Sequence, residues 1–188
     1  MPTFSICLLF TFNFIIFSNF CNTAYGIFCE ETTEAITIKR VEKTSHLHFY
    51  FHDVISGKQP SVVKIAGPPN STGYGFGATM IMDDALTEGP EISSKLVGRA
   101  QGMYAIAAQE ELSLLMVMNF AFIEGTYNGS SISILGRNPV LNDIREMPIV
   151  GGGGVFRLAR GYALADTIRL DYKTGDATVE YHVYVSHY

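Results

Sequence analysis

The chain has 188 residues, enough for one domain of ordinary size and a short targeting segment. Hydrophobic residues make up 47% of it, so a substantial core can form. The formal net charge of −5 argues against a nucleic-acid partner, because a negatively charged chain has no basic surface to replace the counterions of a phosphate backbone.

The N-terminal segment has the character of a secretory signal peptide. Residues 1–25 carry no charged side chain, and the run Phe4–Phe20 is mostly apolar and is followed by polar Asn22 and Thr23. This run is shorter than a membrane span, and its flanks are typical of a cleaved signal. We therefore expect a secreted mature protein with no membrane attachment after cleavage.

Cysteines and glycosylation sequons agree with export. Cleavage would remove Cys7 and Cys21 and leave Cys29 as the only thiol, so packing rather than an internal disulfide must hold the domain. Acceptor sequons begin at Asn70 and Asn128, which predicts N-glycosylation at both.

Most of the remaining chain is patterned as strands. Residues 26–45 form a weakly patterned N-terminal arm, and from His46 onward hydrophobic residues recur with a period of two. The segments Pro68–Gly73 and Asn138–Gly154 are predicted to be long loops. The predicted strands are His46–Asp53, Ser61–Ala66, Gly75–Asp83, Val97–Ala108, Leu112–Glu124, Ser130–Gly136, Gly161–Asp171 and Thr178–Tyr188.

These strands favour a closed barrel. Turn chemistry typical of hairpins occurs at Tyr127–Ser130 and Lys173–Asp176. Closure removes exposed sheet edges, and eight strands leave an interior that can hold one small ligand. We predict an all-β fold: a single eight-stranded antiparallel β-barrel with a ligand pocket, over residues 46–188.

Two aspartates are candidate acids. By the period of two, Asp53 shares a face with Leu47, Phe49 and Phe51, where an apolar surface would raise its pKa and make it a general acid. The structural alternative is that Asp53 bonds turn amides near Ser56.

Asp166 follows the same pattern, since by the period of two it shares a face with Tyr162, Leu164 and Ile168. It is either a second pocket acid or a residue of a wet barrel rim.

Metal and cofactor chemistry finds little support. His46, His48 and His52 share one side of a strand, but they share it with Tyr50 rather than with a carboxylate, and no second metal-binding run of the cupin type is found. The glycine run Gly151–Gly154 lacks the lysine of a phosphate-binding loop. We predict neither a metal nor a cofactor, and therefore no oxidising centre.

Several runs together resemble the plant dirigent family. They are HFYFHD at His48–Asp53, KLVGRAQGMY at Lys95–Tyr104, LGRNPV at Leu135–Val140, REMPIVGGGGVFRLARGYA at Arg145–Ala163 and the C-terminal EYHVYVSHY. They follow one another in order through nearly the whole predicted mature chain.

The resemblance implies a set of pocket residues. Asp53, Arg145 and Tyr104 match family positions that line the pocket, and with Asp166 they are the predicted catalytic residues. Asn138, Phe49 and Phe51 are predicted to bind substrate. Asn138 stands where members associated with lignan-type coupling carry an aspartate, so the usual pair of acids is incomplete.

Arg99, Arg137 and Arg160 belong to the motifs too, and we interpret them as structural ion-pair formers.

The resemblance also implies function. Dirigent proteins confer stereoselectivity on the coupling of phenoxy radicals, such as those from coniferyl alcohol, which a partner laccase or peroxidase generates. A second hypothesis is a dehydratase similar to pterocarpan synthase, which closes an isoflavanol through a quinone methide. A third is a non-catalytic apoplastic carrier of a phenolic ligand. The family likeness further implies a homodimer or homotrimer in the apoplast.

Overall fold

The computed structural model describes residues 41–68 and 75–188. The signal peptide, most of the N-terminal arm and the sequon at Asn70 lie outside the described residues. Among those described, no helix is long and apolar enough to cross a membrane.

Nine antiparallel strands form one sheet, and eight of them close it into a barrel. The strands are β1 Lys43–Asp53, β2 Val62–Ala66, β3 Thr79–Thr87, β4 Leu96–Ile106, β5 Ser113–Phe122, β6 Ser131–Pro139, β7 Ile144–Gly153, β8 Arg160–Leu170 and β9 Ala177–His187. Short 3-10 turns cover Gly125–Tyr127 and Gly154–Phe156.

Closure depends on the first strand. β1 pairs with β9 along its whole length, from Lys43 opposite His187 to Asp53 opposite Ala177. The far end of β1 also pairs with β3, with Phe51 opposite Leu86. β2 pairs with the earlier half of β3 and stands outside the ring of eight. The predicted eight-stranded barrel is thus confirmed.

One predicted loop was wrong. Residues 144–153, assigned to the loop Asn138–Gly154, form β7. Pro148 and the glycines after it suppress the usual strand signals. β7 pairs with β8 from Ile144 to Ile149, whereas it pairs with β6 only from Ile149 onward. Pro148 therefore lies where β7 has no ladder partner in β6.

The two ends of the barrel differ. One end is filled by aromatic rings, with the Phe49 and Phe120 centroids 5.0 Å apart and those of Tyr127 and Phe156 4.9 Å apart. The opposite end, where β1, β4, β6 and β8 finish, is hollow. The aromatic end therefore acts as the floor of a cavity that lies toward the other mouth.

Surface ion pairs agree with the structural role predicted for three arginines. The pairs are Arg99 with Asp83 at 2.5 Å, Arg160 with Glu42 at 2.7 Å, and Arg137 with Glu111.

A glycine in β8 tests the tight packing of the barrel wall. Gly161 has φ 148°, and a Cβ there would strike the carbonyl oxygen of Tyr184 on β9. We expect Gly161→Ala to lower the free energy of unfolding by roughly 2 kcal/mol or more, because neither backbone can move away. Chemical denaturation measures the change. Gly151→Ala is the control, since open space surrounds that position, and an equal loss in both variants would contradict the prediction.

Candidate functional site

The hollow end of the barrel contains a cavity of about 220 Å³. Its walls are mostly aliphatic and aromatic, and its polar side chains are few. These are Asp53, Tyr104, Asn138, Arg145, Thr167 and Tyr181. The cavity is thus an apolar chamber with a few polar groups, as in sites for small organic ligands.

Asp53 reaches this cavity from the end of β1. Its Oδ2 accepts a hydrogen bond from the Tyr104 hydroxyl at 3.3 Å, and its Oδ1 is buried without a hydrogen-bond partner among the described residues. Burial raises the pKa of Asp53 to about 7, although the bond from Tyr104 opposes the change. Asp53 can therefore be a protonated acid near neutral pH.

The alternative role considered for Asp53 was to accept hydrogen bonds from turn amides near Ser56. Another aspartate has that role. Asp176 Oδ1 accepts the backbone N–H groups of Ile55 and Ser56 at 2.8 and 2.9 Å. Asp53 is thereby left to the cavity.

Arg145 occupies the opening between β6 and β8. Its Nε donates to Asn138 Oδ1 at 3.1 Å, and its Nη2 donates to Thr167 Oγ1 at 2.8 Å. Its Nη1 donates to the carbonyl oxygens of Asn142 and Asp143, both at 3.3 Å. The side chain is almost fully buried, which lowers the pKa of the guanidinium. Neutral oxygens hold this cation in place, so it keeps charge to offer a ligand oxygen.

Asp166 is not in the cavity. The inward side chains of β8 are Ala163, Ala165 and Thr167, and Asp166 is exposed on the outside. Ala165 is small because it lies opposite the buried ring of Tyr181. The outward residues of this strand are the more hydrophobic ones. The sequence pattern therefore predicted the wrong face for Asp166. Asp166 acts on Arg145 only through its charge.

The two phenylalanines that were predicted to bind substrate lie in different parts of the barrel. Phe51 lines the cavity. Phe49 instead packs between Phe120 and Tyr181 in the aromatic floor, so its predicted contact with substrate is corrected to a core role.

A second buried acid, not predicted from the sequence, lies on β3. Asp84 on β3 is fully buried, and its Oδ1 accepts the hydroxyl of Ser61. Burial, followed by the charge of Asp53, raises the pKa of Asp84 to about 8. The alternation Met80, Met82, Asp84, Leu86 was the signal that would have found it.

The histidines of β1 lie on the outer side of the barrel. His48, Glu180 and His182 place ligand atoms within 4.8 Å of one another. The rings of His48 and His182 are stacked 4.5 Å apart with an interplanar angle of 3°, so their lone pairs do not converge on one point. His52 bonds Thr87 at 2.7 Å. The absence of a metal stays a prediction.

The buried carboxyls give stability a distinctive pH dependence. Between about pH 4 and pH 8 folded Asp53 and Asp84 keep protons that the unfolded chain has released. Their stabilisation is complete below about pH 4 and is lost as the pH rises through the folded pKa values. We expect the free energy of unfolding to fall by a few kcal/mol across this range, measured by denaturant titration.

The matched control is Asp53→Asn, whose amide cannot lose a proton. Its stability should fall less over the same pH range. An identical decline in both proteins would contradict the raised pKa of Asp53.

This chain is similar to proteins of one plant family. The family model described as Dirigent-like protein matches residues 44–186. Dirigent protein 21 of Arabidopsis thaliana is 54% identical over 78% of each chain. Pterocarpan synthase 1 of Glycine max is 48% identical over 99% of this chain and 98% of its own.

A solved structure agrees with both the fold and the family. The pterocarpan synthase dirigent protein GePTS1 superposes with a TM-score of 0.76 at 53% identity, over 78% of this chain and 86% of that one. With the family match spanning the barrel from β1 to β9, the chain belongs to the dirigent family.

Proposed function

We propose that the protein catalyses the loss of water from an isoflavanol-like phenolic alcohol and closes an ether ring through a quinone methide. The observation that carries the proposal is Asp53, an acid that holds its proton near neutral pH beside a phenol in an apolar chamber. The similarity to proteins named pterocarpan synthases supports the substrate class.

The chemistry balances without an oxidant. Asp53 gives its proton to the leaving hydroxyl, the carbon–oxygen bond breaks, and water departs. A phenol of the substrate gives up its proton to restore Asp53, and the quinone methide forms. A second phenolic oxygen then adds to the electrophilic carbon, and its proton passes to the carbonyl oxygen of the quinone methide. The net change is the loss of one water molecule.

Arg145 and Tyr104 have supporting roles in this scheme. A guanidinium held by neutral acceptors can stabilise the oxygen on which negative charge develops. The hydroxyl of Tyr104 orients the carboxyl of Asp53 by donating to Oδ2. The apolar walls exclude water, which would otherwise add to the quinone methide.

A second candidate function is stereoselective coupling of phenoxy radicals made by a partner laccase or peroxidase. Relatives named only as dirigent proteins are as similar to this chain as the pterocarpan synthases. This similarity supports radical coupling as the second candidate function. Hundredfold stereoselectivity needs only about 2.7 kcal/mol of difference in barrier, which a shaped cavity can supply.

The setting proposed for either function is the apoplast, as a secreted homodimer or homotrimer. The uncharged N-terminal segment supports export. Exposed Leu115, Val117, Leu135 and Val150 on the outside of β5–β7 support association between subunits. Asn128 is exposed at the turn between β5 and β6, where a glycan can be attached.

Asp53→Asn replaces the acid with an amide of similar shape that cannot give up a proton. We expect the variant to fold and to convert an isoflavanol at least tenfold more slowly, a loss of about 1.4 kcal/mol in transition-state stabilisation. Chiral chromatography of the products measures rate and stereochemistry together. Asp166→Asn is the control, because that carboxyl is exposed outside the cavity, and it should keep its activity within a few fold.

Unchanged turnover in folded Asp53→Asn would remove Asp53 from the reaction. If the wild-type protein never converts the isoflavanol, but gives one enantiomer from coniferyl alcohol only when an oxidase is added, the second function replaces the first. Binding of the phenol without either reaction would indicate a carrier.

A further inference from the structure

The strand register brings two carboxyls together inside the barrel wall. β1 and β3 pair with Tyr50 opposite Thr87, Phe51 opposite Leu86, and His52 opposite Ala85. Continued by one residue, the same antiparallel register sets Asp53 opposite Asp84. Both side chains point inward, as do Phe51 and Leu86, which are also a cross-strand pair. Opposed side chains of this kind have Cβ atoms about 5 Å apart.

Each carboxyl has one oxygen occupied and one buried oxygen without a donor among the described residues. Asp53 uses Oδ2 for Tyr104 and leaves Oδ1, whereas Asp84 uses Oδ1 for Ser61 and leaves Oδ2. Two bare carboxylates in this position would repel each other and would lack hydrogen bonds. A proton held by the pair removes both problems, because it cancels one charge and supplies a donor.

We propose that Asp53 and Asp84 act as one coupled carboxyl pair, in which Asp84 is a positioning residue that keeps a proton available to Asp53. The inference deepens the proposed function and rests on it for its catalytic meaning. Asp84 does not line the cavity, so only Asp53 meets the substrate. The raised pKa values of both groups, about 7 and about 8, agree with this arrangement.

The groups around the pair favour protonation on balance. Desolvation is the largest cause for each carboxyl, and the nearby acids Asp176 and Asp83 raise the two pKa values further. Tyr104 on β4 and Ser61 at the start of β2 oppose protonation through hydrogen bonds, as does Arg99 through its charge. Tyr181 on β9 also interacts with both acids, and burial keeps this phenol in its neutral form.

Carboxyl ¹³C NMR titration of the apo protein tests the pair without any substrate. In the wild-type protein the Asp53 and Asp84 signals should move together in two steps, since coupled sites share their macroscopic titrations. In Asp84→Asn the Asp53 signal should titrate in a single step, because its partner no longer gains or loses a proton. Asp83→Asn is the control, because it removes a neighbouring charge on the outside of the same strand. In this variant Asp53 should still titrate in two steps.

Asp53→Asn gives the reciprocal measurement should Asp84→Asn fail to fold. The midpoint of Asp84 should then fall, because the charge of Asp53 that raises its pKa is gone. Independent single-step titrations in the wild-type protein, or a two-step Asp53 titration that persists in Asp84→Asn, would overturn the pair.

The pH profile of turnover adds a readout that a purely structural role would not move. In the wild type the loss of isoflavanol conversion with rising pH should follow the two steps of the pair, and in Asp84→Asn it should follow a single step. If the wild-type protein converts no isoflavanol, the proposed function fails, and the NMR titration still decides whether the pair exists.

Discussion

Pairing of β1 with both β9 and β3 is the constraint on which the rest of the molecule depends. It turns an open sheet into a barrel and places Asp53 at the point where β1 leaves β3. The chain then returns as β2 beside the earlier half of β3, and Ser61 at that junction bonds Asp84. Closure and the burial of two acids therefore come from the same few residues.

The opposite wall of the cavity shows how a cation can be buried without a carboxylate beside it. β7 is unpaired with β6 near the mouth, and the side chain of Arg145 spans the gap by bonding Asn138 and Thr167. An aspartate at position 138 would form an ion pair with this arginine and use up its charge. The amide of Asn138 leaves that charge for a ligand, so the chamber combines an acid at one side with a cation at the other.

The sequence predicted the barrel because the alternation in β1 and β9 is strong, and it predicted Asp53 because its neighbours on the inward face are large and apolar. It failed at β8, where small alanines face inward opposite bulky residues and the hydrophobic pattern is inverted. It failed at β7, where proline and glycine hide a strand. Asp84 was missed because the predicted strand ended at Asp83, one residue before it, whereas β3 continues to Thr87.

The central claim is that Asp53 keeps its proton up to about neutral pH inside the apolar cavity. Infrared difference spectroscopy between the wild-type protein and Asp53→Asn tests it most directly, since protonated carboxyls and carboxylates have separate carbonyl bands. At about pH 6, below the folded pKa, the difference spectrum should contain the band of a protonated carboxyl, and that band should disappear as the pH rises past about 8. A difference spectrum with only carboxylate bands at about pH 6 would contradict the account.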